Sequence, residues 1–490
     1  MRKVSKILKY FPILLSAVII MLSLYIMGEV YNASFDQLIF SLLKTEGTSF
    51  NAISYGLFYV SIGTLLLLPV LSFPIITFKR SIILNIKVGR KSLNKQLLPV
   101  KNLKFYNIIL IVISICFLFY TSGFFNYLYF NTRRTNLFED YYIDANNIKI
   151  SFPENKQNLI YIFLESTEAS NFSKENGGVF SSSLLPNLEK LALENISFSN
   201  NNFLGGAQES YGNSWTIAAM IAQTAGIPLK VTAKDISKDS TDFEKIANLG
   251  DILNHNGYNN YLILGSDANF GGRKQYFETH NYEINDYYTA IYDGIIEKDY
   301  FEWWGYEDSK LFTYAKKKLE YISQNAEPFN LTLLTADTHF TDGYLDKSCY
   351  KKFDKAYANS FYCSDNMVYQ FIKWIQEQPF YENTTIILSG DHLTMQDDIY
   401  DGTNSNYVRT VYNAFINSRI NFIENKNRVF TTFDMFPSTL AALGVKIEGD
   451  RLGLGTNLFS DKNTIPEEIG LDKFNNELQK YSSYYNEKIR

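Results

Sequence analysis

Cysteine and histidine are scarce in this chain, and positive charge is not in excess. Its 490 residues include three cysteines and four histidines, with a formal net charge of −5 and a pI near 5.6. Three cysteines allow at most one internal disulfide. An acidic balance gives no support to nucleic-acid binding. Internal repeats and low-complexity blocks are missing as well, so nothing points to a repeat array. The averages conceal an uneven distribution, because apolar and basic residues gather in the first 125 positions.

Three runs there are long enough to cross a bilayer: about 10–27, 53–77 and 106–124. The first lacks a small-residue cleavage site and two more follow it, so it reads as an uncleaved helix rather than a signal peptide. Pro69 and Pro74 in the second are tolerable in lipid if neighbours satisfy the freed backbone groups. Arg2, Lys3, Lys6 and Lys9 precede the first run. Lys79, Arg80, Lys87, Arg90, Lys91, Lys95, Lys101 and Lys104 separate the second from the third, with no acid among them. The positive-inside rule then makes the N-terminus and that loop cytoplasmic. Everything after Phe124 is expected on the outer face of the cytoplasmic (inner) membrane. The expected organisation is a membrane domain at 1–124, an aromatic juxtamembrane connector at 125–157, a catalytic domain at 158–460 and a helical tail at 461–490.

Beyond residue 157, short β-rich runs alternate with helical stretches, the pattern of an α/β domain with a mostly parallel central sheet. Four of these runs end in polar, metal-competent residues. NLIYIFLES ends at Glu165, the run with YLILGS reaches Asp267, FNLTLLTADTH ends in Asp337 and His339, and TTIILSGDH ends in Asp391 and His392. The carboxyl edge of an open parallel sheet is where ligands bind. Two of the four histidines, His339 and His392, stand at such ends beside aspartates. Carboxylate and imidazole ligands together suit Zn²⁺ or Mn²⁺. Glu165, Asp391 and His392 make three ligands.

The stretch QESYGNSWTIAAMIAQTAGIPL supplies a fourth. Ser214 is expected to cap a helix whose body, Ile217–Ala225, is rich in helix formers, placing Thr216 in the first turn. Free backbone N–H groups and the helix dipole favour a phosphate there. A divalent cation would lower the pKa of the Thr216 hydroxyl and make it a nucleophile. On local sequence alone, Thr216 as a mere support of the cap stays open.

Taken in order, NLIYIFLES, GNSWTIAAM…GIPL, GSDANFGGRKQYFETHNY, WWGYEDSKLF, DTHFTDGY, SGDH and DMFPSTLAALGV…RLGLGTNLF resemble the membrane phosphoglycerol transferases of the alkaline phosphatase/sulfatase superfamily. The phosphoglycerol transferase I and lipoteichoic acid synthase-like branches are the similar ones, from about residue 30 to 460. The resemblance implies that Glu165, Thr216, Asp391 and His392 hold one divalent metal, Mn²⁺ with Zn²⁺ or Mg²⁺ as alternatives, and that Thr216 is the catalytic nucleophile. It implies that His339 and Arg273 contact the phosphoglycerol group. Trp215 and Asp267 fall in matching blocks, either at the substrate or as packing and loop-shaping residues. His280 lies in a family-like THNY segment, whereas His255 reads as an exposed helix residue. Phosphatidylglycerol is the implied donor and a glycan hydroxyl the implied acceptor.

Two departures matter. Ala225 stands where the glucan-modifying relatives carry cysteine, which leaves the acceptor open. No Cys-x-Pro-x-Arg or Ser-x-Pro-x-Arg element occurs, so the formylglycine route of true sulfatases is excluded. A phosphoethanolamine transferase, or an inactive membrane-anchored binding protein, are the alternative functions. Cys349 and Cys363 are expected to form a disulfide if their region is outside the cytoplasm, and are otherwise two free thiols. Pro466 opens a stretch readable as one amphipathic helix, with Ile469, Leu471, Phe474 and Leu478 on its apolar face.

Overall fold

The structure, a computed structural model, describes residues 10–29, 33–46, 50–76, 82–88, 91–97, 103–232, 243–404, 406–420 and 425–490. Arg2, Lys3, Lys6, Lys9, Lys79, Arg80, Arg90 and Lys101, on which the expected orientation partly rests, lie outside the described residues. The chain divides into two compact units: Met1–Leu38 with Thr48–Tyr129, and Ile39–Gly47 with Phe130–Arg490.

Among the described residues of the first unit, three helices are long and apolar enough to cross a membrane: α1 (Phe11–Glu29), α3 (Phe50–Ile76) and α4 (Leu103–Thr121). The short α2 (Phe35–Leu43) follows α1 in the chain. Helix α1 packs against both α3 and α4. Pro69 and Pro74 lie inside α3, and the Tyr106 hydroxyl donates to the Leu71 carbonyl at 2.8 Å. Between α3 and α4, β1 (Ile82–Val88) and β2 (Lys91–Leu97) pair as an antiparallel hairpin.

The second unit is built on a six-stranded mixed sheet of β3 (Asn158–Leu164), β4 (Asn259–Leu264), β5 (Tyr282–Asn285), β6 (Phe329–Leu334), β7 (Thr384–Gly390) and β8 (Asn413–Ile416). Their order across the sheet is β5-β4-β6-β3-β7-β8, parallel throughout except for the antiparallel edge strand β8. Strand β3 therefore lies mid-sheet, between β6 and β7. Its residues alternate between two cores: Leu159, Tyr161 and Phe163 face one, Ile160, Ile162 and Leu164 the other. Burial on both faces explains why these strands read as unbroken apolar runs.

Helices cover both faces. On the Leu159 side stand α6 (Thr216–Ala225) and α10 (Met435–Ala442); on the Ile160 side stand α5 (Pro186–Glu194), α8 (Asp308–Ile322) and α9 (Ala356–Gln376). Cys349 and Cys363 are joined by a disulfide, with a sequence separation of 14. The tail differs from the single helix expected. Gly470, at φ 87°, breaks it into Ile465–Ile469 and α11 (Leu471–Gln479). Phe474 and Leu478 are fully buried in the Leu159-side core, with Tyr485 and Ile489 beyond them, whereas Ile469 and Leu471 are only half-buried.

Candidate functional site

Parallel pairing decides the geometry. Strands β3 and β7 run in register, Phe163 opposite Ser389 and Leu164 opposite Gly390. One further residue on each strand sets Glu165 beside Asp391, with His392 next. Gly390 is the residue that makes this approach possible, since a Cβ there would lie 2.0 Å from the Thr167 carbonyl oxygen. The chain then turns sharply at Ser166, which takes a left-handed φ of 53°. That turn aims the Ser166 N–H at Asp391 Oδ1, 2.8 Å away, and its hydroxyl at Glu165 Oε1, also 2.8 Å.

Helix α6 delivers the hydroxyl. Trp215 is its N-cap residue in extended conformation, and no side chain caps the helix. The expected Ser214 cap is therefore not made: the helix begins one residue later than Ser214 would need, with Thr216 as its first residue. The N–H groups of the first turn are thus left to face the site rather than a capping oxygen, the arrangement that favours an anion. Thr216 Oγ1 lies 3.3 Å from Glu165 Oε2 and 3.5 Å from His392 Nε2. Gln223, two turns on, donates to the Gly390 and Asp391 carbonyls at 3.0 and 3.3 Å and accepts from the Tyr161 hydroxyl at 2.7 Å. It ties α6 to the middle of β3 and to the end of β7.

Among the described residues, Glu165, Asp391 and His392 form a group whose potential ligand atoms all lie within 4.8 Å of one another. Two observations test whether a metal ion fits. Asp391 Oδ2 is buried and accepts no hydrogen bond from the described residues, while Oδ1 is taken by the N–H groups of Ser166 and His392. His392 Nδ1 lies 2.8 Å from the Leu393 carbonyl. A carbonyl can only accept, so Nδ1 carries a proton and Nε2 is the nitrogen turned toward Asp391 Oδ2 and Glu165 Oε1, at 3.4 and 3.6 Å. The residues present fit a divalent cation.

The electrostatics agree. Burial and the Glu165 charge push the Asp391 carboxyl up. Burial alone would raise Glu165 too, but His339 and His392 hold it below the usual carboxylate range. Burial alone would lower the His392 imidazole, but Asp391 and Glu165 raise it to about 9.

His339 and Arg273 stand at the same edge. Burial lowers the His339 pKa against the pull of Glu165, and burial lowers Arg273 to about 10, again opposed by Glu165. His339 Nδ1 faces the Phe340 carbonyl at 2.6 Å, which leaves Nε2 for a ligand. Phe270 stacks on Trp304 with centroids 5.6 Å apart, Trp304 meets His339 at a tilt of 59° and 4.8 Å, and Arg273 lies over Phe270.

Other singled-out residues have local tasks. Asp267 Oδ1 accepts from the backbone and side chain of Asn269, shaping the loop. Trp215 is buried in the core, its Nε1 without a hydrogen-bond partner among the described residues. The carboxyl of Asp337 is buried beside Asp308, where burial and that neighbour raise it well above the carboxylate range. His280 is buried against Asp251 at 2.6 Å, and His255 is exposed.

Sequence reasoning passed over Gln223 and Glu209. Gln223 left a readable trace, a lone amide in the otherwise apolar IAAMIAQTA. Glu209, whose Oε1 accepts from the Leu393 N–H at 3.2 Å beside His392, left none. Behind it Arg409 grips the buried Glu168 with two bonds, 2.8 and 2.6 Å.

Residues 157–445 match the family described as Sulfatase. Over 255 residues the chain is 32% identical to phosphoglycerol transferase I from Escherichia coli O6:K15:H31 (strain 536 / UPEC), covering 50% of this chain and 32% of that protein. The chain thus matches about a third of the length of these curated relatives. Among solved structures, the integral membrane protein lipooligosaccharide phosphoethanolamine transferase A from Neisseria meningitidis aligns at TM-score 0.51 and 12% identity, over 88% of this chain and 83% of that chain. That is a likeness of fold. The lipoteichoic acid synthase LtaP from Listeria monocytogenes aligns at TM-score 0.48 and 16% identity, over 66% of this chain and 80% of that one.

Proposed function

The chain belongs to the sulfatase family, and from that premise we propose that it is a membrane-anchored transferase that moves phosphoglycerol from phosphatidylglycerol to a glycan hydroxyl. One observation carries the reading: the Thr216 hydroxyl, at an uncapped helix N-terminus, within 3.3 and 3.5 Å of Glu165 and His392. Identity to proteins named phosphoglycerol transferase I supports the donor.

In the first step Thr216 Oγ1 forms a bond to phosphorus and the bond from phosphorus to diacylglycerol breaks. The threonine gives up its proton and the diacylglycerol oxygen gains one. In the second step an acceptor hydroxyl forms the new P–O bond and loses its proton, while the bond from phosphorus to Thr216 Oγ1 breaks and that oxygen regains a proton. Glu165, Asp391, His392 and Thr216 would hold a divalent cation, Mn²⁺ by family resemblance. When bound, that cation lowers the hydroxyl's pKa and offsets charge on the phosphoryl oxygens. The α6 N–H groups and Arg273 orient the phosphoryl group, and His339 holds the transferred group through Nε2. Three apolar helices, with the basic loop on the cytoplasmic side, would keep this domain outside the membrane and close to a lipid donor.

The test is purified full-length protein in micelles with headgroup-labelled lipids offered singly. Label transfer from phosphatidylglycerol, lost in Thr216→Ala without change in the unfolding midpoint, is expected. Transfer from phosphatidylethanolamine alone, or full activity in Thr216→Ala, overturns the reading.

A further inference from the structure

The stretch between the first two apolar runs, residues 39–46, sits far outside the matched residues 157–445, yet it belongs to the same compact unit as the sheet. Phe40 near the end of α2 is 4% exposed, in one core with Trp215, Ile217, Ile221, Phe243 and Tyr276. Four residues on, Lys44 continues the helical bonding, its N–H donating to the Phe40 carbonyl at 2.9 Å. Its ammonium then donates to Gln275 Oε1 at 3.0 Å.

Between these contacts runs the turn before α7 (Arg273–Thr279). Gly271 and Gly272 both take left-handed φ values, 66° and 73°. Glycine adopts this backbone without a steric penalty, but two in a row leave the turn with no side chains of its own to hold it. Its neighbours must do so. The Lys44 stem carbons lie 3.7 to 3.9 Å from where a Gly272 Cβ would stand, and Ile217 Cγ2 lies 3.7 Å from the same point on Gly271. The turn is therefore clasped between Lys44 on one side and the residue after Thr216 on the other.

The small space that Phe40, Lys44, Ile217, Ile221, Gly272 and Tyr276 leave among them is about 10 Å³. That is room for a single water at most, so this is a packed joint rather than a ligand pocket. Immediately after the turn, Arg273 donates from Nε to the Phe270 carbonyl at 3.0 Å and from Nη2 to Ser266 Oγ and the Asp267 carbonyl at 3.1 and 3.2 Å. Every one of these anchors belongs to the turn or the loop leading into it. Where the loop goes, the guanidinium goes.

We propose that Phe40 and Lys44 are positioning residues for the reaction: they wedge the Gly271–Gly272 turn against the first turn of α6 and so set where the Arg273 guanidinium meets the phosphoryl group. The family domain alone is then incomplete, its anion arm being braced from a segment that lies between two apolar helices in the chain. The lipid-turnover part of the test rests on the proposed function; the phosphate-binding part does not.

The experiment uses full-length, Mn²⁺-supplemented protein in micelles: wild type, Phe40→Ala, Phe40→Leu, Arg273→Ala and the Phe40→Ala/Arg273→Ala double variant. A displacement of about 1 Å in a positioned group is enough for large losses. Phe40→Ala is therefore expected to raise KM for phosphatidylglycerol and Kd for inorganic phosphate about tenfold, with kcat within about threefold of wild type. Phe40→Leu restores most of both. The double variant should bind phosphate no more weakly than Arg273→Ala, because the two changes act through one group. Unchanged KM and phosphate Kd in Phe40→Ala, with only a lower unfolding midpoint, overturns the proposal. So does a double variant whose losses multiply. A wild type that binds phosphate but transfers nothing from phosphatidylglycerol sinks the proposed function, and the phosphate titrations still decide this inference.

Discussion

Asp391 and Glu165 illustrate how little a single residue type says until its neighbours are known. Each is a carboxylate at a strand end, unexceptional in sequence. In the fold, Asp391 Oδ2 is buried with no donor among the described residues, which leaves a cation as its natural partner. Asp391→Asn removes one charge and one proposed ligand oxygen. It is expected to weaken divalent-cation affinity roughly 100-fold or more, read as metal lost on dialysis by elemental analysis. A different buried acid gives a pH signature. Burial pushes the Asp434 carboxyl up to about 7, though it accepts from the N–H groups of Thr431 and Thr456 at 2.8 and 2.7 Å. Its folded pKa exceeds the unfolded value near 3.9, so the native state keeps a proton that the unfolded chain releases. The contribution is therefore full below about pH 4 and declines as pH rises toward 7, by at most about 1.4 kcal/mol per pH unit. In Asp434→Asn, which cannot ionise, denaturant midpoints measured from pH 4 to 8 should lose that part of the slope. The clustering of Glu165, Asp391 and His392 was legible as strand-end polarity after apolar runs. Glu209 was not, because it reaches the site from an irregular stretch with no period to read.

At the scale of elements, local pattern worked where a run was long and apolar. Strands β3, β4, β6 and β7 were visible as such; β5 and β8, four residues each, were not. A strand that short carries no periodicity, and its existence depends on a partner brought from elsewhere in the chain. The cap of α6 went the same way. Ser214 has the right chemistry for an N-cap, but the helix starts at Thr216 and Trp215 takes the cap position, burying its ring in the core. Tertiary packing outweighed the local preference. Two element-level changes test the geometry. Gly390→Ala must push a methyl into the Thr167 carbonyl, 2.0 Å away, and is expected to cost about 1–3 kcal/mol in urea unfolding while reducing metal retention. Gln223→Leu removes the amide that ties α6 to the Gly390 and Asp391 carbonyls. It should lower kcat about tenfold or more with the metal still held by Glu165, Asp391 and His392, since the Thr216 hydroxyl is the group displaced.

For the whole molecule, the Cys349–Cys363 link closes a loop with a sequence separation of 14. Chain-entropy arguments assign about 3 kcal/mol to a loop of that size, so reduction should lower the denaturant midpoint of the wild type and leave Cys349→Ser/Cys363→Ser unaffected. Composition and local hydropathy, being sums over neighbouring residues, settled a good deal without any structure: the three long apolar helices, the α/β character of the chain beyond them, and which runs carry polar residues at their ends. They could not settle which strands are neighbours. Placing β3 between β6 and β7, in the register that sets Glu165 beside Asp391, is a product of pairing between distant segments, where a slip of one residue would turn every side chain to the other face. The burial of Phe40 in the same core as the C-terminal Phe474 was likewise invisible in the chain, although Phe474 was legible on an apolar helix face. Transfer free energy drives apolar side chains out of water without naming their destination, and only the assembled packing supplies it.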